Sequence, residues 1–169
     1  MARHLEIVLP KHDLRCVARL LDDEAPRTCD AVWSALPAGG DVYHAKYARN
    51  ELYTFVAPVS DELIGPENPT ITPIPGDVVY FEFGAGMLPS GAYGYGADEG
   101  AAGRPLVVDL AVFYGRNNLL LNGDLGFVPG NVFATISEGL DALAAAGNDI
   151  WRAGAIGEEL QFRRLEGDR

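Results

Sequence analysis

The stretch LLDDEAPRTCDAVWSALPAGGDVYHAKYARNELYTFV, residues 20–56, decides the fold because a strand end, a helix and a hairpin follow each other directly within it. Pro26 suits the first turn of a helix, where its missing N–H is no loss, and the acidic residues before it favour the positive end of the helix dipole. Pro37 and the glycine pair after it end the predicted helix. Apolar side chains recur on one helical face, at Cys29, Val32, Trp33 and Leu36.

A hairpin is predicted after this helix, from residues 41–48 and 51–57 on either side of Arg49-Asn50. Asn tolerates positive φ, so a two-residue turn is expected, in which Tyr47 would face Leu52. This register sorts the side chains onto two faces. The outer face would carry Val42, His44, Lys46, Glu51, Tyr53 and Phe55, and the uncharged inner face Tyr43, Ala45, Tyr47, Leu52, Thr54 and Val56.

Further strands are indicated by short runs in which apolar residues alternate or dominate. They cover residues 4–10, 14–22, 77–83, 105–114, 131–136 and 158–165. A second helix is expected over 137–147, with Ser137 as its N-cap and Gly147 at its end. Eight strands can close a small barrel filled by side chains. The sequence therefore predicts a mainly β fold, a closed eight-stranded barrel capped by two helices, as one domain over residues 1–169.

Two of these strands add side chains to the outer face of the predicted barrel. In 77–83 the alternation places Tyr80 and Glu82 outside, and in 105–114 it places Asp109 and Phe113 outside. The glycine-rich residues 84–103 follow the first of these strands. An irregular loop of that length usually covers or shapes a site, so it is expected to roof the outer face.

Composition excludes several classes of function. The net charge of −11 argues against a nucleic-acid partner, because such proteins need clustered cations. No stretch is apolar for long enough to span a membrane and residues 1–13 hold no signal-peptide core, so a cytoplasmic location is expected. The sequence contains no metal-ligand cluster and no cofactor motif. Cys16 and Cys29 are expected to be buried thiols, and His4 and His12 to be surface residues.

The chain resembles cyclophilins in the phrase LDDEAPRTCDAVWSALP, residues 21–37, with its Ala-Pro and Thr, and in the hairpin after it. Over nearly its full length it is similar to a bacterial family of uncharacterised cyclophilin-like proteins. That similarity implies a cyclophilin-like barrel and no established activity. The phrases that carry it are VYHAKYARNELY (42–53), PGDVVYFEF (75–83), FYGRNNLLLNGDLGFVPGNVFATI (113–136) and GNDIWRAG (147–154).

The sequence departs from true cyclophilins where their prolyl isomerase activity is located. In that family an arginine directly follows the histidine of the third strand, whereas Ala45 follows His44 here. VAPVSDE, residues 56–62, replaces the glutamine-glycine-glycine-aspartate phrase of the family. No residue evidently takes over the arginine's task of polarising the prolyl amide. Prolyl isomerisation is therefore the less favoured function.

The outer face of the barrel is the active surface in cyclophilins, and its residues here form the candidate site. His44 and Glu51 are the candidate catalytic acid and base, and a histidine stacked on Phe55 or a surface ion pair of Lys46 with Glu51 are the structural alternatives. The aromatic residues could form an apolar floor for a planar ligand. The candidate ligand-binding residues are Lys46, Tyr53, Phe55, Tyr80, Tyr114 and Arg116.

Two classes of function follow. The first is a barrel that binds a small metabolite on its outer face, either as a binding protein or as an enzyme that transforms it by non-covalent acid/base chemistry, with no metal and no cofactor. The second is a protein-interaction or regulatory subunit that forms a homo-oligomer or joins a metabolic enzyme, since Tyr53, Phe55, Tyr80 and Phe113 would suit an interface if exposed. No nucleophile phrase supports covalent hydrolysis.

Overall fold

The computed structural model describes residues 2–84, 87–88 and 106–165. Within these ranges the chain is mainly β, with two α-helices and a short 3₁₀ turn at Pro10–His12. The elements are β1 (His4–Leu9), β2 (Leu14–Leu20), α1 (Pro26–Ala35), β3 (Ala38–Asp41), β4 (Tyr43–His44), β5 (Glu51–Val56), β6 (Pro69–Thr70), β7 (Asp77–Gly84), β8 (Leu106–Phe113), β9 (Leu121–Asn122), β10 (Gly126–Phe127), β11 (Gly130–Glu138), α2 (Leu140–Ala153) and β12 (Glu159–Arg164).

The main sheet is an antiparallel, nearly closed barrel with the strand order β3-β12-β1-β2-β11-β7-β8-β5-β4. β3 and β4 are consecutive in the chain but lie at opposite ends of this order, so the sheet curls round to meet itself. At the seam a Cβ on Gly40 would lie 3.3 Å from Thr54 Oγ1. The predicted barrel is thus confirmed, with nine strands in this order rather than eight, because residues 38–44 form two short strands, β3 and β4, where one strand at 41–48 was expected.

Helix α1 lies where the sequence places it, and Cys29 and Val32 on its predicted apolar face are fully buried. Its first turn is not held by the acidic residues before it. Instead the Glu67 carboxylate accepts hydrogen bonds from the backbone N–H groups of Arg27 at 3.2 Å and Thr28 at 2.7 Å. A carboxylate from a distant loop therefore satisfies N–H groups that lack partners within the helix.

The predicted register of the hairpin is wrong. Tyr43 pairs with Tyr53 and His44 with Leu52, so the connection takes up residues 45–50 instead of two residues. The longer loop is fixed by tertiary contacts, because the side chain of Asn118 accepts a hydrogen bond from the backbone N–H of Asn50 at 3.2 Å. This odd shift in register reverses the faces of β4 but leaves those of β5 as predicted.

Two more predictions about element faces and ends are wrong. Tyr80 lies inside the barrel at 1% exposure, while Val79, Phe81 and Phe83 are packed on the outer face of β7. Helix α2 begins after Gly139 and runs through Gly147 to Ala153. Gly147 does not end the helix; it lets the helix approach the ring of Tyr114, whose Cε1 would lie 2.5 Å from an added Cβ.

The other strand predictions are confirmed. β2 buries Leu14, Cys16, Ala18 and Leu20, and β12 buries Leu160 and Phe162. β8 directs Leu106, Val108, Leu110 and Val112 into the barrel, as expected. Both cysteines are buried free thiols, and burial raises the pKa of Cys16 to about 11 and that of Cys29 to about 12.

His12 is not the simple surface residue that the sequence suggests. Its ring bonds Glu158 through Nδ1 and Asp149 through Nε2, the latter at 3.1 Å. Glu158 is buried, and it also accepts hydrogen bonds from the backbone N–H groups of Lys11 and His12 at 3.0 Å each. The 3₁₀ turn is thereby fastened to the start of β12.

The barrel carries a second apolar cluster on its outside, which positions the candidate site. The inner cluster fills the barrel and contacts both helices. The outer cluster covers β5, β7 and β8, and includes Phe81, Phe83, Phe113 and Leu120. β8 lies between the inner and the outer cluster, so both of its faces are covered. This explains why every residue of β8 is buried.

Candidate functional site

A pocket of about 700 Å³ opens on the outer face of β5, β7 and β8. Part of this space is open to solvent, and its walls are mainly apolar and aromatic, as in many small-molecule sites. The lining residues are Ala45, Lys46, Tyr47, Ala48, Glu51, Tyr53, Phe55, Phe81, Phe83, Leu88, Asp109, Leu120, Leu121, Asn122 and Val128.

The aromatic walls of the pocket come from alternate positions of two strands. Tyr53 and Phe55 on β5 meet edge to face with ring centroids 5.7 Å apart. Phe81 and Phe83 on β7 are stacked with centroids 6.2 Å apart and an interplanar angle of 12°. Tyr43 stacks on Tyr53 with ring centroids 5.4 Å apart, because the observed register pairs these two residues. Such walls suit a flat apolar ligand.

The cover of the pocket is the segment between β8 and β11. Its hairpin, β9 and β10, turns at Asn122, whose Oδ1 accepts hydrogen bonds from the N–H groups of Asp124 and Leu125. The segment is tied down at Asn118, which is buried and donates from Nδ2 to the carbonyls of Pro73 at 2.9 Å and Gly115 at 2.7 Å. Asn122-Gly123 is a turn signal in the sequence, but the sequence does not show that this turn lies over the pocket.

Two carboxyl groups lie within this apolar pocket, Glu51 on β5 and Asp109 on β8, each only 6% exposed. Burial raises the pKa of Glu51 to about 8, and burial together with the nearby Glu51 raises the pKa of Asp109 well above its ordinary value. Asp109 Oδ1 has no hydrogen-bond partner among the described residues. A buried oxygen without a partner is costly, so a hydrogen bond from a ligand would offset that cost.

The register explains how these two groups come to share a pocket. Glu51 pairs with Phe113 and Phe55 with Asp109, so the two acids stand on neighbouring strands with the Tyr53–Ala111 pair between them. All of these side chains point to the outer face, because they occupy alternate positions of their strands.

His44 does not belong to this pocket. Its pairing with Leu52 turns it toward the barrel end, where Nε2 lies 2.6 Å from the Tyr114 hydroxyl and its ring is 5.0 Å from that of Trp151. Burial lowers the pKa of His44, so the neutral ring is favoured near pH 7. The structure therefore separates His44 from Glu51, the pair that the sequence interpretation placed on one face.

The remaining candidate residues divide in the same way. Lys46, Tyr53 and Phe55 line the pocket with Glu51. Tyr80 and Tyr114 pack in the inner cluster instead, and Arg116 is exposed, with its carbonyl accepting from the Asn50 side chain at 2.8 Å. Three of the six predicted ligand-binding residues are thus brought together by the pocket.

Sequence reasoning missed Asp109, Phe81 and Phe83 as site residues. Asp109 was placed on the outer face but given no role, although it is the one charged residue in the apolar run of residues 105–114. The two phenylalanines were assigned to the wrong face, because every residue of β7 from Val78 to Phe83 except Glu82 is apolar or aromatic and the alternation is ambiguous. The prediction that residues 84–103 roof the site lies outside the described residues, apart from Gly84, Met87 and Leu88.

Two features that would point to other kinds of function, a metal-ligand cluster and a membrane-spanning helix, are absent from the described part of the chain. No group of three or more His, Cys, Asp or Glu side chains there could hold a metal ion. Within the same ranges no helix is long and apolar enough to cross a membrane.

Comparison with known proteins identifies a family but no characterised relative. The family model "Protein of unknown function (DUF3830)" matches residues 7–162. No curated protein matches the chain. Neither the family description nor the name of the solved structure described next mentions cyclophilins, so the resemblance to cyclophilins stays a prediction.

A solved structure, McbB in complex with tryptophan, has a similar fold. The TM-score is 0.64 and the sequences are 21% identical, with 98% of this chain and 46% of that chain covered. This chain therefore spans less than half the length of McbB. At this identity the likeness concerns the fold alone.

Proposed function

The chain belongs to the DUF3830 family of proteins of unknown function, and we propose that it binds a small, partly aromatic molecule in the pocket on the outer face of β5, β7 and β8. The observation that carries the proposal is an open, mainly apolar pocket with two buried carboxyl groups among its aromatic walls. Fold alone would not support it, because one barrel can serve many functions. The tryptophan bound by McbB gives a ligand of suitable size and shape as a first probe.

The carboxyl pair also gives the pocket the means for acid/base chemistry on a bound molecule. A pKa of about 8 means that both the acid and the carboxylate form of Glu51 are populated near neutral pH. Acid/base catalysis is most efficient when the catalytic pKa lies near the working pH. Glu51 is the proposed proton donor or acceptor, and Asp109 is the second group that holds a ligand in place.

The proposal is tested by a thermal-shift screen of aromatic metabolites, followed by calorimetric titration of each hit. Val128→Phe should fill the pocket and weaken binding at least about tenfold, because half-buried Val128 lines it. Val8→Phe, at a half-buried position on β1, should leave affinity unchanged. His44→Ala should also leave it unchanged, because His44 lies apart from the pocket.

Several results would reject the proposal. One is a hit whose affinity is the same in Val128→Phe as in the unchanged protein. Another is a hit lost in His44→Ala but kept in Val128→Phe, which would move the site to the barrel end. A third is a screen without any hit that binds.

The alternative of a protein-interaction module loses part of its sequence support. Of the four aromatic residues thought to suit an interface, Tyr80 and Phe113 are 1% and 0% exposed. A light-scattering measurement still separates the two functions. A stable dimer whose assembly is blocked by a substitution at the pocket rim would favour the interaction module.

A further inference from the structure

We propose that the pocket selects molecules that carry a protonated amine, which Glu51 and Asp109 receive as carboxylates. This inference rests on the proposed function, since it names the chemical class of ligand for the same pocket. It begins with geometry. Two acids on neighbouring strands line one apolar space, and Asp109, only 6% exposed, has a buried Oδ1 without a hydrogen-bond partner among the described residues.

An aromatic pocket with buried acids favours a cation over a neutral or anionic group. Carboxylates accept hydrogen bonds from an ammonium group, and such charge-assisted bonds are about twice as strong as neutral ones. The faces of Tyr53, Phe55, Phe81 and Phe83 also attract cations. An anion would lose its hydration without gaining a buried cation, because Lys46 is the one cationic side chain among the described lining residues and it is exposed.

The charged and titratable groups that face this space come from three elements among the described residues. β5 contributes Glu51 and Tyr53, β8 contributes Asp109, and the loop after β4 contributes Lys46 and Tyr47. The β7 residues that line the pocket, Phe81 and Phe83, do not titrate. Lys46 is exposed, whereas the two acids are buried, so the acids dominate the interior.

Binding of an amine changes the protonation of Glu51 and Asp109. Without a ligand, burial keeps Glu51 and Asp109 largely protonated near neutral pH. An ammonium group stabilises the carboxylate forms, so binding releases a proton to the solvent. The affinity for an amine should therefore rise with pH until about pH 8, where Glu51 ionises even in the absence of the ligand.

A matched set of indole probes tests the inference: tryptamine as the cation, 3-ethylindole as its neutral analogue, and indole-3-propionate as the anion. Tryptamine should bind at least about tenfold more tightly than either of the others at about pH 8. Its affinity should rise at least about fivefold between about pH 6 and about pH 8, while that of 3-ethylindole stays level. Calorimetry in two buffers of different ionisation enthalpy should show proton release.

The control variants keep the shape of the pocket. In Glu51→Gln with Asp109→Asn, the preference for tryptamine over 3-ethylindole should fall to less than about twofold, because both carboxylates are gone. Neither substitution should unfold the protein, since each removes a buried acid and keeps its volume. A circular dichroism spectrum and an unfolding curve check this. Lys46→Met should leave the preference for the cation intact.

The outcomes separate this inference from the proposed function. Equal binding of all three probes, lost in Val128→Phe, would overturn the amine selectivity while the pocket stands. Preference for indole-3-propionate would also overturn it. Tight binding of Mn²⁺ that the double variant loses, without preference for tryptamine, would reassign the acids to a metal. Binding of none of the probes and no hit in the metabolite screen would overturn both proposals.

Discussion

Burial sets the charge of Glu51. The residue was predicted on the outer face, and it is there, but an outer face in a barrel is normally wet. Here a second apolar cluster and the segment between β8 and β11 cover it. The ionised form loses its hydration and finds Asp109, another acid, nearby. No pattern in the sequence around Glu51 shows this, because the atoms that exclude water come from β7, β8 and the covering segment.

Glu51→Gln is expected to make the free energy of unfolding less dependent on pH. The pKa of Glu51 is about 4.5 in the unfolded chain and about 8 in the folded one, so the folded state favours the protonated form. The stabilisation that the folded state gains from holding this proton is fully present below about pH 4.5. It is lost as pH rises through about 8, where the buried carboxyl group ionises. The variant should be more stable than the unchanged protein by about 1 to 4 kcal/mol at about pH 8, and nearly equal to it at about pH 5.

Urea unfolding at both pH values measures this difference. Glu24→Gln is the control, because Glu24 is exposed and its substitution should change little at either pH. The same pH dependence in Glu51→Gln and in the unchanged protein would show that Glu51 is not buried as an acid.

At the scale of elements, local signals located the helices and strands but not their partners. Helix α1 could be predicted because its apolar spacing and its prolines are local. Its first turn, however, is held by Glu67, about forty residues away. Gly147 shows the opposite error: a glycine near the end of an apolar stripe suggests a helix end, whereas here it makes room for Tyr114.

His12→Gln is expected to weaken the link between the 3₁₀ turn and β12 in a pH-dependent way. The bonds to Glu158 and Asp149 raise the pKa of His12 above its ordinary value. The stabilisation is fully present below about pH 6.5 and is lost as pH rises through the raised pKa. The variant should lose about 1 to 3 kcal/mol at about pH 6, and clearly less at about pH 9.

Denaturant unfolding at the two pH values gives the comparison, with His4→Gln as a control on the same hairpin. A loss of stability in His12→Gln that is equal at both pH values would contradict a charged His12. That result would mean that the His12 ring stabilises the fold by packing alone.

For the whole molecule, the seam of the barrel is where closure is least complete. The hydroxyl of Thr54 lies there beside Gly40, and Oγ1 has no hydrogen-bond partner among the described residues. Nearby β3 pairs with β12 and β4 pairs with β5, so the seam strand changes partner between Asp41 and Tyr43. The alternation in 51–57 predicts Thr54 inside, but it does not show that its hydroxyl lacks a partner.

Thr54→Val should leave stability unchanged or raise it by up to about 1 kcal/mol, because it replaces an unpaired buried hydroxyl with a methyl group of similar size. Thr28→Val is the matched control. Thr28 Oγ1 donates to Glu67 at 2.9 Å and accepts from Asn131 at 3.3 Å, so its loss should cost about 1 to 3 kcal/mol. Thermal and urea unfolding compare the two variants. Equal losses in both would show that Thr54 is hydrogen-bonded at the seam.

The sequence by itself determined the helix α1, most strands, the mainly β barrel and the inward sides of β2, β5, β8 and β12. These follow from periods of two and 3.6 residues, which neighbouring residues specify without help from the rest of the chain. Only the tertiary structure decided the register of β4, the inward side of β7, the separation of His44 from Glu51 and the cover over the two acids. Each of these depends on contacts between residues far apart in sequence, and a register shift of one residue there moves a side chain from the pocket to the core.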